Sequence, residues 1–290
     1  MLRGKHIKHR PIWLFGYLAL ILVVVVLLAY PFFEPYLLQV EQHTVTSADL
    51  PQDIRQLRIA YVSDLHVSGF PWFTQGRAAS LVSTVNGLNP DIVLLGGDYT
   101  DRPDNLVRFF RELPAIHSSY GVYAVLGEAD HKSEISRALL QTLKLKGITL
   151  LNNAVQEVRV GQRNLYLVGA DPLSESSYDL DALAGRVVRE DFVILLSHSP
   201  EIIDNALRVM DRNDKTGWFD LGLFGHTHAG QLPFGLQWLH IADEVPEQHQ
   251  RGWVEENRIP MLISNGVGTS RLPIRIGCPP TVHLITIRNR

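Results

Sequence analysis

A single cysteine, Cys278, excludes an intrachain disulfide framework and a cysteine-based zinc finger. A basic excess is missing too. The 27 Lys and Arg face 30 Asp and Glu, a net charge of −3, so no nucleic-acid partner is expected. The chain has no Walker loop and no dinucleotide fingerprint. Its Gly-x-Ser pieces lack the nucleophile-elbow pattern, which sets serine-hydrolase chemistry aside. Internal repeats and low-complexity segments are also missing. What is present is globular in composition, 46 % apolar and 20 % charged over 290 residues, enough for one large domain or two modest ones. Twelve histidines beside one cysteine direct any metal hypothesis to His and carboxylate ligands.

Charge is absent altogether from Pro11 to Phe33, a run of 23 residues. As a helix it would be about 34 Å long, enough to cross a bilayer core. The run ends in Tyr30-Pro31-Phe32-Phe33, a poor cleavage site for a signal peptide, and it has no polar face for a buried core helix. Residues 11–33 are therefore expected to be an uncleaved transmembrane anchor. Trp13, Tyr17, Tyr30 and Phe32 suit its two interfaces. The tail 1–10 holds four basic residues and no acid, which leaves 23 basic against 30 acidic residues and a net of −7 beyond it. The positive-inside rule keeps that tail cytoplasmic. The expectation is a single-pass cell-membrane protein with its catalytic domain on the non-cytoplasmic side. Residues 34–43 read as a linker and 44–290 as one domain.

Beyond the anchor the pattern is α/β. Strands are predicted at 57–62, 91–95, 121–126, 192–196, 221–224, 261–263 and 282–287, with a hairpin of 155–160 and 164–168. Helices are predicted at 77–86, 105–113, 134–146 and 180–188. Five apolar strands each run into a metal-capable side chain: Asp64-Leu65-His66, Asp98-Tyr99-Thr100-Asp101, Glu128-Ala129-Asp130-His131, His198, and His226-Thr227-His228. In open α/β sheets ligands bind beyond the strand C-termini, so these endings should converge. Each piece alone is an ordinary turn or cap. Their order and strand context together point to metal.

In that order the residues resemble the calcineurin-like metallophosphoesterase superfamily, whose pattern is Asp-x-His, Gly-Asp-x-x-Asp, Gly-Asn-His-(Asp/Glu), a lone His, and Gly-His-x-His. The segments Gly225–Gln231, Asn265–Ser270 and Gly277–Pro280 look like its bacterial membrane-associated phosphodiesterase branch. The resemblance spans about 44–288. It implies a four-layer α-β-β-α sandwich with two divalent metal ions, Mn, Fe or Zn, at one edge. It implies Asp64, His66 and His228 as ligands of the first metal and His198 and His226 as ligands of the second. Asp98 would bridge both and act in catalysis. It further implies a phosphohydrolase that cleaves a phosphodiester or pyrophosphate bond by attack of a metal-bridging hydroxide. Asp101 and Gln231 would orient ligands, or be ordinary turn residues.

The third motif departs from the family. Glu128 stands where the pattern has Asn and would be an oxygen ligand of the second metal. Ala129 stands where the pattern has the His that serves the leaving group. Either His131 reaches back as the catalytic acid, or the substrate has a good leaving group. An alternative register pairs Asp130-His131 with the family's Asn-His. The contrasting expectation is a metal-binding pseudoenzyme that acts as a scaffold. The aromatic-rich stretches Phe70, Trp72, Phe73 and Leu232, Phe234, Leu236, Trp238 would either pack on the sandwich or meet an acyl chain. A phosphoester substrate is expected, and a lipid-linked one suits a membrane enzyme.

Overall fold

A computed structural model describes residues 12–50, 53–69, 73–131, 136–171, 179–232 and 245–290. The first element is the helix α1, Ile12–Phe33, which has no acidic or basic residue in its terminal turns. It is long and apolar enough to cross a membrane. None of its described side chains is buried against the domain.

Two six-stranded sheets follow. The first has the order β1 (Gln39–Ser47), β12 (Thr281–Asn289), β2 (Gln56–Val62), β3 (Ile92–Leu95), β4 (Val122–Ala124), β5 (Ile148–Leu150). The second has the order β10 (Gly252–Glu256), β11 (Ile259–Ile263), β9 (Leu221–Phe224), β8 (Val193–Ser197), β7 (Arg163–Ala170), β6 (Ala154–Val160). The strands β2 to β5 are mutually parallel, as are β7, β8, β9 and β11. Short four- and five-residue apolar strands such as β3 and β8 are buried on both faces, as parallel strands require.

Side-chain alternation divides the apolar residues into three cores, which makes the molecule four layers. Between the sheets lie Ile59, Tyr61, Ile92 and Leu94 of the first against Leu165, Ile194, Leu196 and Leu223 of the second. The intervening residues Ala60, Val62, Val93 and Leu95 face outward onto the helices α2 (Gln75–Gly87), α3 (Leu106–Glu112) and α5 (Arg137–Leu145). On the far side Val193, Leu195 and Met261 meet α6 (Leu180–Ala184) and α7 (Ile203–Ala206). The short α4 is Glu128–His131. Local chemistry sets several helix starts: Thr74 caps α2 through Arg77 N–H and Ser136 caps α5 through Leu139 N–H.

The four-layer sandwich agrees with the sequence reading. The strands β1, β5 and β10 and the short helices α4 and α7 were not predicted, and β1 also moves a boundary. Residues 39–43, read as linker, belong to β1, which pairs in parallel with β12 from Gln39–Thr281 to Ser47–Asn289. Because β12 runs antiparallel to β2, the start of β1 lies at the same edge as the C-terminus of β2. The helix α1 therefore joins the domain at that edge.

Candidate metal centre

The loops after β2, β3, β8 and β9 bring five buried side chains together. Ligand-type atoms of Asp64, His66 and His228 converge in one group, and those of Asp64, Asp98 and His198 in a second. Asp98 Oδ2 lies 3.3 Å from His66 Nε2 and 3.4 Å from His198 Nε2, between the two groups. His228 Nε2 is 3.0 Å from His66 Nε2 and 3.6 Å from Asp64 Oδ1. The ring of His226 stands nearly perpendicular to that of His198, with centroids 5.2 Å apart, and the backbone N–H of His226 donates to Asp64 Oδ1 at 2.9 Å.

The tautomers suit ligation. His198 Nδ1 lies 2.8 Å from Gly96 O and donates its proton there, which leaves Nε2 as the atom that a cation, proton or metal, would occupy. His66 Nδ1 lies 2.6 Å from Asp101 Oδ1, so Asp101 orients this ring as expected. Asp64 Oδ2 and His198 Nε2 are buried and have no hydrogen-bond partner. Buried orphan acceptors among carboxylates and imidazoles are costly alone and fit a divalent cation. The electrostatics agree. Burial pulls the His198 imidazole down, yet the negative charge of Asp98, with Oδ2 3.4 Å from Nε2, pushes it up to about 10. Burial would raise Asp98, but His198 and His66 hold its carboxyl below the usual range. This pocket favours positive charge.

The backbone carries strain at the same place. Asp64, His66, Asp98, His226 and His228 all have positive φ, between 45° and 71°. Such residues cost roughly 1–3 kcal/mol each and persist where the surroundings over-determine them.

The third motif is built differently. Glu128 opens α4 with an exposed side chain and lies outside both ligand groups. Ala129 is buried, and its N–H donates to Asp98 Oδ1 at 2.8 Å. The buried carboxylate of Asp130 accepts from Asp98 N–H at 2.8 Å, Gly127 N–H at 3.0 Å and Tyr99 N–H at 3.0 Å. It ties two site loops together, a role the sequence reading missed. His131 Nε2 lies 2.7 Å from Asp171 Oδ2. Under the alternative register, then, both of its side chains are engaged elsewhere. Asp171 follows β7, and Asn153 holds its peptide from both sides. The signal for Asp171 was the same strand-end rule, applied to Leu167–Ala170.

Gln231 orients no ligand in the described contacts. Its amide donates to Ser270 O and Leu272 O and accepts from Ser270 N–H, bracing the loop beside the site. Arg275, fully buried, donates to Gly268 O, Asn265 O and Cys278 O, with Nη2 3.4 Å from His228 Nδ1. Phe73 and Leu232 are buried and packed. Phe70, Trp72, Phe234, Leu236 and Trp238 lie outside the described residues.

Residues 57–230 match the family described as calcineurin-like phosphoesterase. An uncharacterised metallophosphoesterase of Aquifex aeolicus is 29 % identical over 280 residues, covering 92 % of this chain and 98 % of its own. Phosphodiesterase YaeI of Escherichia coli is 28 % identical over 239 residues, 79 % of this chain and 82 % of that one. A zebrafish (Danio rerio) protein named transmembrane protein with metallophosphoesterase domain is 31 % identical over 194 residues, 63 % of this chain and 43 % of its own.

Proposed function

The chain belongs to the calcineurin-like phosphoesterase family, and from that premise we propose that it is a membrane-anchored phosphohydrolase that takes two divalent metal ions and cleaves a phosphodiester or pyrophosphate bond. The observation that carries this reading is the position of Asp98 Oδ2 between His66 Nε2 and His198 Nε2. Asp64, His66 and His228 would hold one ion, His198 and His226 the other, and Asp98 both. Glu128 would join the second only by turning inward from its exposed place at the start of α4. Bound there, divalent ions supply Lewis acidity at the phosphoryl oxygens and lower the pKa of water.

The chain's own groups do the rest. Gly96 O fixes His198 and Asp101 fixes His66, so neither ring has to reorganise during reaction. Hydrolysis joins a water oxygen to phosphorus, breaks the bond from phosphorus to the leaving oxygen, and requires a proton on that oxygen. Ala129 has no proton to give. His131 is the nearest substitute in sequence. Burial lowers its proton affinity, but the hydrogen bond and charge of Asp171 raise it above the ordinary histidine value. We assign the proton delivery to His131 and its positioning to Asp171. The basic tail, by the positive-inside rule, supports a domain on the non-cytoplasmic side.

Asp98→Ala tests the reading. It should abolish binuclear metal content and turnover of bis(p-nitrophenyl) phosphate together. Parent-level turnover in that variant would overturn the two-metal reading. A second reading, a metal-binding module without turnover, is favoured by Ala129 and the exposed Glu128. Metal-loaded protein inert towards both aryl diesters and pyrophosphates would establish it.

A further inference from the structure

We propose that the metal pocket opens at the bilayer surface and that its substrate is a phosphoester carried by a membrane lipid. This rests on the hydrolase reading above and adds the substrate class.

The first support is topological. The anchor α1 is followed by a short turn, Glu34–Tyr36, and then by β1. The start of β1 lies at the edge where β2 ends and Asp64 and His66 begin. Gln39 N–H donates to Pro280 O and Thr281 N–H donates to Gly266 O, closing that edge. The opposite edge, where Asn257 and Arg290 meet, is a full length of β12 away, about 30 Å for nine residues.

The second support is a fixed attachment. Glu34 is only 1 % exposed. Its two carboxylate oxygens accept from Gly277 N–H at 2.9 Å and Cys278 N–H at 2.8 Å. Within the last turn of α1, Pro31 O accepts from Arg275 N–H at 3.0 Å. The Arg275 guanidinium in turn reaches His228. From the end of the anchor to a ligand histidine is thus one arginine side chain. A second clasp involves Arg77, which donates to Pro35 O and lies 4.4 Å over the ring of Tyr36 and 4.5 Å over that of Phe73. Phe73 O accepts from Ser68 N–H in the loop that follows His66. Both loops that wall the site are held by the segment that leaves the membrane. A domain serving soluble substrates has no need of a fixed orientation to the bilayer.

The third support is the rim. Tyr36, Leu37, Val40 and Leu272 are exposed large apolar side chains at this edge, with Leu272 42 % exposed. Leu272 lies in the loop that Gln231 and Arg275 bind to the site. Interfacial apolar and aromatic side chains gain from contact with the headgroup region.

The test uses the full chain in dioleoylphosphatidylcholine nanodiscs, loaded with Mn²⁺. Leu272→Cys and, separately, Asn257→Cys are labelled with a fluorophore. The native Cys278 is buried, with its thiol donating to Gln231 O, and stays unlabelled. Nitroxide-bearing lipids should quench the label at position 272 at least five-fold more than the label at 257. In the unlabelled parent, phosphatidyl-p-nitrophenol in the disc should be cleaved at least ten-fold faster than soluble bis(p-nitrophenyl) phosphate. The leaving group is the same in both. Equal quenching at the two positions overturns the orientation. Quenching at 272 with no preference for the lipid ester overturns the substrate class while the hydrolase stands. Quenching with neither ester cleaved overturns the hydrolase reading, and the substrate class with it.

Discussion

Gly127 is the residue whose replacement tests the site geometry most directly. It follows β4 and packs on the loop of Asp98. A Cβ built on Gly127 would lie 2.2 Å from Asp98 Oδ1 and 2.6 Å from Asp98 N. Ordinary contact begins near 3.4 Å, so the carboxylate of Asp98 must move by about 1.2 Å in Gly127→Ala. It cannot do so freely. Oδ1 is held by Ala129 N–H at 2.8 Å, and the Asp98 peptide is held by Asp130. Overpacking of this kind costs about 1–3 kcal/mol of stability. The kinetic effect is larger. A displacement of about 1 Å in a reacting constellation costs on the order of 10²-fold in rate, close to 3 kcal/mol of barrier. The assay is turnover of bis(p-nitrophenyl) phosphate with metal content measured on the same sample. Gly87→Ala is the control, since nothing lies within 4 Å of its Cβ position. It should leave both quantities unchanged. Parent-like turnover and metal content in Gly127→Ala would refute the placement of Asp98 between the two histidine groups.

Three further outcomes are expected. His131→Ala should lose 10²–10⁴-fold on alkyl phosphodiesters and far less on aryl diesters, with Ala129→His recovering much of the alkyl rate, in steady-state kinetics; equal losses on both ester types would remove His131 as the proton donor. Protease added to intact cells or spheroplasts should digest the domain, and full protection until the membrane is opened would reverse the topology. Asp220, at the edge away from the site, should make stability pH-dependent. Burial raises its carboxyl from 3.8 to about 7 in the folded chain, with Asp49 adding to the rise. A raised folded value favours the protonated form. The contribution is therefore complete below about pH 4 and is lost as pH rises through 7, at most about 4 kcal/mol at 1.36 kcal/mol per unit. In Asp220→Asn the amide can still accept from Val193 N–H and donate to Ser47 Oγ, the two groups that now donate to the carboxylate. The variant should gain on the parent in chemical denaturation as pH rises from 5 to 8. A parent-to-variant difference that stays constant over that range would dismiss the idea.

The strand-end candidate ligands were legible because their signal is local. An apolar run followed by Asp-x-His or Gly-His-x-His fixes both the strand and the edge on which the side chain emerges, and Asp64, His66, Asp98, His198, His226 and His228 all occupy that edge. What supports them was not legible, because it is made by distant residues. Asp130 binds N–H groups up to 32 residues away. Arg275 looks like an ordinary loop cation in sequence, yet it is fully buried and, among the described residues, donates to backbone carbonyls and towards His228. Glu128 shows the converse limit. A motif position predicts a ligand, whereas the short helix α4 turns the residue's side chain to solvent.

The segment after α1 shows why composition misled. Gln39–Ser47 reads Gln-Val-Glu-Gln-His-Thr-Val-Thr-Ser, too polar for a buried strand. It is an edge strand with only Val45 and Ser47 buried, so an apolar run was never required of it. Its backbone is satisfied on one side by β12 alone. Glu34 was hidden for a related reason. A carboxylate beside a proline, just past an apolar helix, reads as the start of solvent-exposed chain. It is buried because two peptide N–H groups, 243 and 244 residues further on, donate to its two carboxylate oxygens. Burying a carboxylate without such partners would be prohibitive, and burying it with them fixes the angle at which the chain leaves the anchor. The residues that read most like a flexible tether are therefore the ones that set the candidate metal site's orientation to α1.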